Sequence, residues 1–367
     1  MKKINYIEFS ALFLSLNILF NSGINCYILK NNADVNSWLA IIIAYIIGII
    51  PLILTMYIAN YKPELDIFEK NILLFKNTLG NIINTIICII SFIIAATCLY
   101  NIINFITTQF LYHTPIIISS ILLTSLAVYC ANKKINVISH ISIILIALNL
   151  ITFITSNLSL INAINFDNLL PFLKINSNNF AISILKIVII NTLPMISILI
   201  IPKNKITNNI KYNKVLLITY IIGFLISLIT IINTISILGI HLTKLFTYSE
   251  YMVLKKIKLF GVLERSENII AMKWITEAYI YITLTIYIIS KNISPTSEKK
   301  FTYSNIIIGI LLILTKHIFK NETTFYNYIN NGFIIAVSIL FPIYIIISAK
   351  IYFKNVNCQK QSLDNLH

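Results

Sequence analysis

An all-α membrane protein of about ten transmembrane helices is the fold this chain predicts, on three observations. Of its 367 residues 57% are hydrophobic and 11% charged, and the mean hydropathy is +0.85. A soluble domain has about a quarter of its residues charged. About a quarter of the chain is isoleucine, in runs that recur from one end to the other. Many of these runs approach the roughly 20 residues that cross about 30 Å of hydrocarbon. They do not alternate with period 2, which excludes barrel strands. Disorder is excluded too, because it needs low hydrophobicity and dense charge.

Ten segments qualify as spans: Ile7–Leu29, Trp38–Ala59, Ile82–Leu111, Pro115–Ala131, Ile135–Asn157, Ile182–Ile201, Val215–Leu238, Ile269–Ile289, Ser304–Phe319 and Phe333–Tyr352. They are called helices 1 to 10 below. Helix 3 is over-long, so it is tilted or projects beyond the bilayer. Helix 9 is short. Lys2 and Lys3 ahead of Phe9–Phe20 imitate a secretory signal, but no small-x-small cleavage pattern follows, and the stretch reads as an uncleaved first span. No connection is long enough to fold alone, so residues 1–367 are expected to form a single integral membrane domain.

The net charge of +15 does not point to nucleic acid. It comes from 27 lysines and one arginine, Arg265, whereas readers of nucleic acid favour bidentate Arg. The lysines lie mostly between apolar runs and therefore report orientation. With the N-terminus inside, 17 basic residues fall inside and 9 outside. Both termini are expected to be cytoplasmic, with the long 239–266 connection between helices 7 and 8 outside. The cysteines Cys26, Cys88, Cys98, Cys130 and Cys358 form no CxxC pair, the histidines no metal spacing, and the eight glycines no phosphate loop. No metal, cofactor or catalytic arrangement is indicated, and the chain does not read as an enzyme.

Two spans carry interruptions, which a lipid-facing helix tolerates only beside protein or a cavity. Helix 1 has Asn21-Ser22-Gly23-Ile24-Asn25, and helix 6 has Asn191-Thr192-Leu193-Pro194. These helices open two five-helix halves, and paired interruptions in matching positions point to a transporter-type binding site. An ordinary kink at Pro194 and a packing contact at Gly23 are the plain alternatives.

Four stretches, in order and spacing, give the chain a resemblance to a known family. They are helix 1 with its glycine break; Leu99-Tyr100-Asn101-Ile102-Ile103-Asn104-Phe105-Ile106 with Phe110-Leu111 and Thr114-Pro115; Asn165-Phe166-Asp167-Asn168-Leu169-Leu170-Pro171; and Phe260-Gly261-Val262-Leu263-Glu264-Arg265 with Glu267 and Trp274. The chain resembles the permease-type endospore germination proteins, the membrane-embedded B subunits of nutrient germinant receptors, within the amino acid–polyamine–organocation superfamily. The resemblance implies two inverted five-helix repeats (about 7–157 and 178–353), like the sodium-coupled leucine transporter without its last two helices, with helices 1 and 6 broken. It also implies a larger A subunit and a lipoprotein C subunit as partners, in the spore inner membrane or bacterial cell membrane. The chain departs from the family pattern at helix 1, which lacks a following proline, and after Pro194, where Met195-Ile196-Ser197 replaces the usual Gly and Glu.

The expected ligand site lies at the breaks, against helices 3 and 8. Its residues are Asn21, Ser22, Gly23, Thr97, Cys98, Tyr100, Thr192, Pro194, Ser197, Thr276 and Glu277. Half-helix N-termini there would hold a ligand carboxylate. Glu277, a carboxylate well inside a span, has Lys273 one turn earlier as its expected partner. It serves either as a counter-charge for a ligand ammonium or coupling cation, or as half of a neutralised pair. Tyr100 is either a pocket wall or an interfacial anchor, and Lys186 reads as a snorkelling lysine. The function expected is nutrient sensing that triggers spore germination, with an amino acid as the nutrient. The alternatives are an autonomous proton- or sodium-coupled amino-acid permease and a scaffold with a collapsed pocket.

Overall fold

The computed structural model describes residues 3–21, 23–170, 177–256, 266–294, 297–319 and 321–364, with backbone alone for 209, 266–270 and 357–364. Among the described residues the structure is helical apart from one parallel bridge between Ile4 and Ile206.

Each expected span falls on a helical element. Helix 1 starts at a capping box in which Asn5 and Glu8 satisfy each other's backbone donors. It runs Tyr6–Ile18, tightens through the 3-10 turn Leu19–Asn21, bends by 46° and resumes as Ile24–Asn32. Helix 2 comprises Ser37–Ile47 and Ile49–Asn60. The excess length of helix 3 sits at its start. The helix runs Ile67–Gln109 from an Asp66–Glu69 capping box, and Lys76 (φ 64°) separates a short leading piece from the long rod. Ile116–Asn132, Lys134–Leu160 and Tyr212–Leu245 are helices 4, 5 and 7, the last interrupted at Gly239 (φ 72°) where the expected span ends. Helices 8 and 9 are Ser266–Ile293 and Glu298–Leu314. Helix 10 begins earlier than expected, with Glu322–Tyr328, and passes through a π turn, Ile329–Phe333, on its way to Leu340–Asp364. Among the described residues seven helices are long and apolar enough to cross a membrane, or eight with the bent pair of helix 1, and Ile116–Asn132 is a shorter apolar helix.

Helices 1 and 6 were both expected to be broken, and they differ. Helix 6 runs Ser177–Thr192 and continues without a gap as the 3-10 segment Leu193–Ile200. Pro194 lacks an N–H and its ring crowds the preceding turn, so the chain winds tighter from that point. The Tyr344 hydroxyl of helix 10 donates to the Leu193 carbonyl at 3.3 Å and braces the start of this tighter segment. All eight residues of the 3-10 segment are buried.

Helix 8 is the hub of the packing. It lies against helices 3, 4, 5 and 9 and touches helix 1, while helix 1 packs on helices 5 and 7. Large apolar side chains such as Leu122, Leu126, Ile144, Leu148 and Ile151 project outward from helices 4 and 5. An exposed apolar surface of that extent is what lipid contact requires.

Candidate binding site

The break of helix 1 is built by glycine geometry. Gly23 has φ 85° and caps the start of Ile24–Asn32 with no side chain on the free N–H groups. Only a residue without Cβ takes this conformation readily. Just before it, Asn21 Oδ1 accepts hydrogen bonds from Asn25 Nδ2 (2.8 Å) and Ser227 Oγ of helix 7 (3.1 Å). Its Nδ2 is buried without a partner. Ser22 lies outside the described residues.

A small cavity opens beside this break toward helices 5, 7 and 8, and a second abuts it farther from helix 1. The first, about 10 Å³, is lined by Asn21, Asn149, Phe153, Thr230, Lys273, Trp274 and Glu277 among others. The second, about 30 Å³, shares Phe153, Thr230, Lys273 and Trp274 and adds Asn157, Asn233 and Glu250. A cavity on this measure needs roughly 10–15 Å³ to hold a water, so the site is closed around water-sized space.

Glu277 is 4% exposed with Oε2 unpartnered, and it faces the first cavity. Lys273 lines the first cavity with it and also reaches the second, but the expected contact ion pair is absent among the described residues. The four ion pairs among the described residues are Lys134–Glu298, His140–Glu8, Lys244–Asp34 and Lys291–Asp66. The Lys273 ammonium lies instead over the rings of Phe153 (5.3 Å) and Trp274 (5.9 Å). Aromatic faces attract a desolvated cation, and the one-turn spacing leaves Glu277 as a Coulombic neighbour. Thr276 donates to Asn149 Oδ1 at 3.0 Å and to the Lys273 carbonyl at 2.7 Å, tying helix 8 to helix 5.

The remaining expected residues lie on other faces. Thr97 and Thr192 spend their hydroxyls on their own helices, donating to the carbonyls of Ile93 and Val188. A Cβ on Gly48 of helix 2 would come within 2.4 Å of the Thr192 methyl, so Thr192 faces helix 2. The Tyr100 ring packs on Phe319 and Phe325, centroids 4.9 and 4.5 Å away. Ser197, beyond Pro194, has a buried hydroxyl without a partner, as do Tyr281 and Thr285 of helix 8. With Ser91 and Cys98 of helix 3 these three form a separate polar nest around the Tyr281 hydroxyl. Lys186 donates to Asn330 of helix 10 at 3.1 Å, away from both nests.

The 239–266 connection supplies residues the sequence did not single out. Tyr248, Ser249 and Glu250 lie directly on the second half of helix 1. A Cβ on Gly23 would sit 2.9 Å from Tyr248 Cδ1. Ser249 Oγ is 3.1 Å from Cys26 Sγ, and the Lys30 ammonium donates to the Phe246 carbonyl. Glu250 is 4% exposed, and neither carboxylate oxygen has a hydrogen-bond partner. Burial pushes its carboxyl up to about 7, opposed by its own backbone N–H dipole first, then by the Lys30 charge, the Gly23 N–H dipole and the Lys273 charge. The Tyr248 hydroxyl donates to the Asn101 carbonyl and accepts from Asn104 Nδ2, which also donates to Glu322. Phe105 stacks edge-on against Tyr248, Tyr251 and Trp274. The Asn104-Phe105 and Trp274 motif residues therefore clamp this connection. The motif Phe260–Arg265, Pro171 and the side chain of Glu267 lie outside what is described.

A larger cavity of about 410 Å³ lies at the opposite end of helix 8, lined by Asp66, Lys134, Lys291 and Glu298 among others. Its charges pair across it, Lys291 with Asp66 at 2.5 Å and Lys134 with Glu298 at 2.6 Å.

A Bacillus subtilis (strain 168) protein named "Putative spore germination protein YfkT" is 29% identical over 143 residues, covering 36% of this chain and 39% of that relative. The match thus spans about two fifths of the relative's length. The family model for spore germination proteins of the permease type matches residues 8–325, nearly the whole chain and every helix of the site. The chain belongs to the spore germination protein family.

Proposed function

We propose that this membrane protein is the nutrient-binding B subunit of a germinant receptor, taking an amino acid beside the break of helix 1 and passing occupancy to A and C partner subunits. The observation that carries the reading is the uncapped helix start at Gly23 next to a cavity holding both Lys273 and Glu277. Free N–H groups and the helix dipole suit a carboxylate, and a buried carboxylate suits an ammonium. A zwitterion matches that pair of charges. The fold we favour is two inverted five-helix repeats, of about residues 7–157 and 178–353, and the break and membership of the family support it. The ligand lies against helices 1, 5, 7 and 8, where the cavity is, more than between helices 1 and 6.

The unpartnered Glu277 oxygen in the cavity also favours a second reading, a permease in which Glu277 carries the coupling proton. Spores that retain this protein as their one germinant receptor separate the two. The sensor reading expects germination on a mixture of the twenty amino acids and no concentrative uptake of them into vesicles containing the protein. Sustained, gradient-dependent uptake would establish the permease.

Orientation is tested separately. Both termini are proposed to be cytoplasmic and the 239–266 connection to face outward, on the lysine distribution. Cysteines placed at Lys133 and Lys256, in a chain lacking its native cysteines, should label from opposite sides of the membrane. Labelling from one side would overturn this topology.

A further inference from the structure

The anion position at the break of helix 1 already has an occupant on this chain. The segment 246–250 clasps residues 23–30 by three successive contacts. Lys30 holds the Phe246 carbonyl, the Tyr248 ring covers Gly23 at a distance a Cβ would forbid, Ser249 meets Cys26, and Glu250, next in the chain, is buried beside this helix start with neither carboxylate oxygen hydrogen-bonded. Ile24–Asn32 is nine residues long and has no side-chain cap, so its first-turn donors are free to receive an anion. Glu250 supplies the negative charge from 227 residues further along the chain.

We propose that Glu250 is a tethered stand-in for a ligand carboxylate, that the nutrient binds by exchanging with it, and that release of the 246–250 clasp is the movement that reports binding. The proposal rests on the reading of the helix 1 break as the nutrient site.

The energetics make exchange feasible. A buried carboxylate without a hydrogen-bond partner forgoes its hydration, so Glu250 regains water contacts on leaving and offsets part of the cost of opening. Tyr248 is the stronger tie, with two hydrogen bonds through its hydroxyl and an edge-on contact with Phe105 at 5.0 Å. A clasp of this kind lowers apparent ligand affinity by the fraction of molecules that are open. It also explains why the site is closed around water-sized space: the segment that would have to move forms one of its walls, through Glu250.

Two variants of the full chain, in spores with the receptor's partner subunits, test the exchange with the twenty-amino-acid mixture as probe. Glu250→Gln keeps the shape and removes the charge, so the mixture should trigger half-maximal germination at about tenfold lower concentration. Ser249→Cys places a thiol against Cys26, with the other four cysteines replaced. Its disulfide form should not germinate, and reduction should restore the response. A third variant, Gly23→Val, separates this idea from the site itself. A disulfide-locked protein that responds like its reduced form, while Gly23→Val is silent, overturns the exchange and leaves the site standing. Normal responses from both the locked protein and Gly23→Val overturn the exchange and the site together. A higher half-maximal concentration in Glu250→Gln also overturns the exchange, since it makes Glu250 a ligand contact.

Discussion

Gly23→Val is expected to abolish the nutrient response, the largest effect of any single substitution in the site. Two independent costs fall on the same position. The backbone at φ 85° is strained for any residue with a Cβ, and most for a β-branched one. The Cβ itself would be 2.9 Å from Tyr248 Cδ1 and 3.1 Å from Cε1, and the valine methyl groups add volume to a packed contact. Overpacking of this kind costs about 1–3 kcal/mol and strain a similar amount. Gly23→Ala meets the same first contact without the extra methyl groups, so its response should be weakened and not lost. Tyr248→Ala removes the ring but not the strain, so the pair Gly23→Ala with Tyr248→Ala should recover part of the loss, a coupling that a double-mutant cycle measures. The readout is the half-maximal nutrient concentration for germination, with immunoblots to show that receptor abundance is unchanged. A wild-type dose response in Gly23→Val would place the ligand elsewhere, on a partner subunit.

The second large effect is expected at Glu277. Glu277→Gln should raise the half-maximal nutrient concentration at least tenfold, equivalent to about 1.4 kcal/mol, because a neutral amide cannot balance a ligand ammonium. The substitution also leaves Lys273 without a nearby carboxylate on its own helix. Removing one partner of a buried charged pair is destabilising, though Lys273 keeps the faces of Phe153 and Trp274. Some loss of abundance is therefore expected in the single variant. The double variant Lys273→Met with Glu277→Gln should recover abundance and still respond poorly. If Glu277 served only to neutralise Lys273, the double variant would respond normally. An unchanged response in Glu277→Gln alone would retire the functional reading of this residue.

Much of the fold was legible in the chain, for reasons that are local. A run such as residues 41–54 has few fates besides a membrane, and the length of such runs sets the count of spans. The break of helix 1 was legible because asparagine and glycine stand where lipid-facing sequence would be apolar. Helix 6 shows the limit of that argument. Pro194 was read as a break by the rule that served for Gly23, yet a proline removes one donor and leaves the backbone right-handed, so the helix changes pitch and keeps going. Gly23 admits a positive φ and turns the chain.

The candidate site was legible in part. Asn21, Gly23, Thr276 and Glu277 come together around one polar region, and Lys273 joins them through the aromatic rings. Thr97, Thr192, Ser197 and Tyr100 turn to other faces. The reason is periodicity. In a soluble helix an apolar stripe marks the buried side, whereas a membrane helix is apolar all round and its sequence does not show which face meets protein. Helix 8 contacts helices 1, 3 and 5. Its Glu277 and Tyr281 share one face a turn apart, yet they meet different neighbours at different depths.

By itself, then, the sequence determined the solvent this protein lives in, its all-helical character, the glycine hinge of helix 1 and the family motifs, because each depends on composition or on neighbours along the chain. Only the tertiary structure decided what lies against that hinge. Tyr248 and Glu250 reach Gly23 from more than 220 positions away, in a connection that the sequence places outside the membrane without singling out these two residues. Burial gives Glu250 its meaning, and burial belongs to the packed bundle.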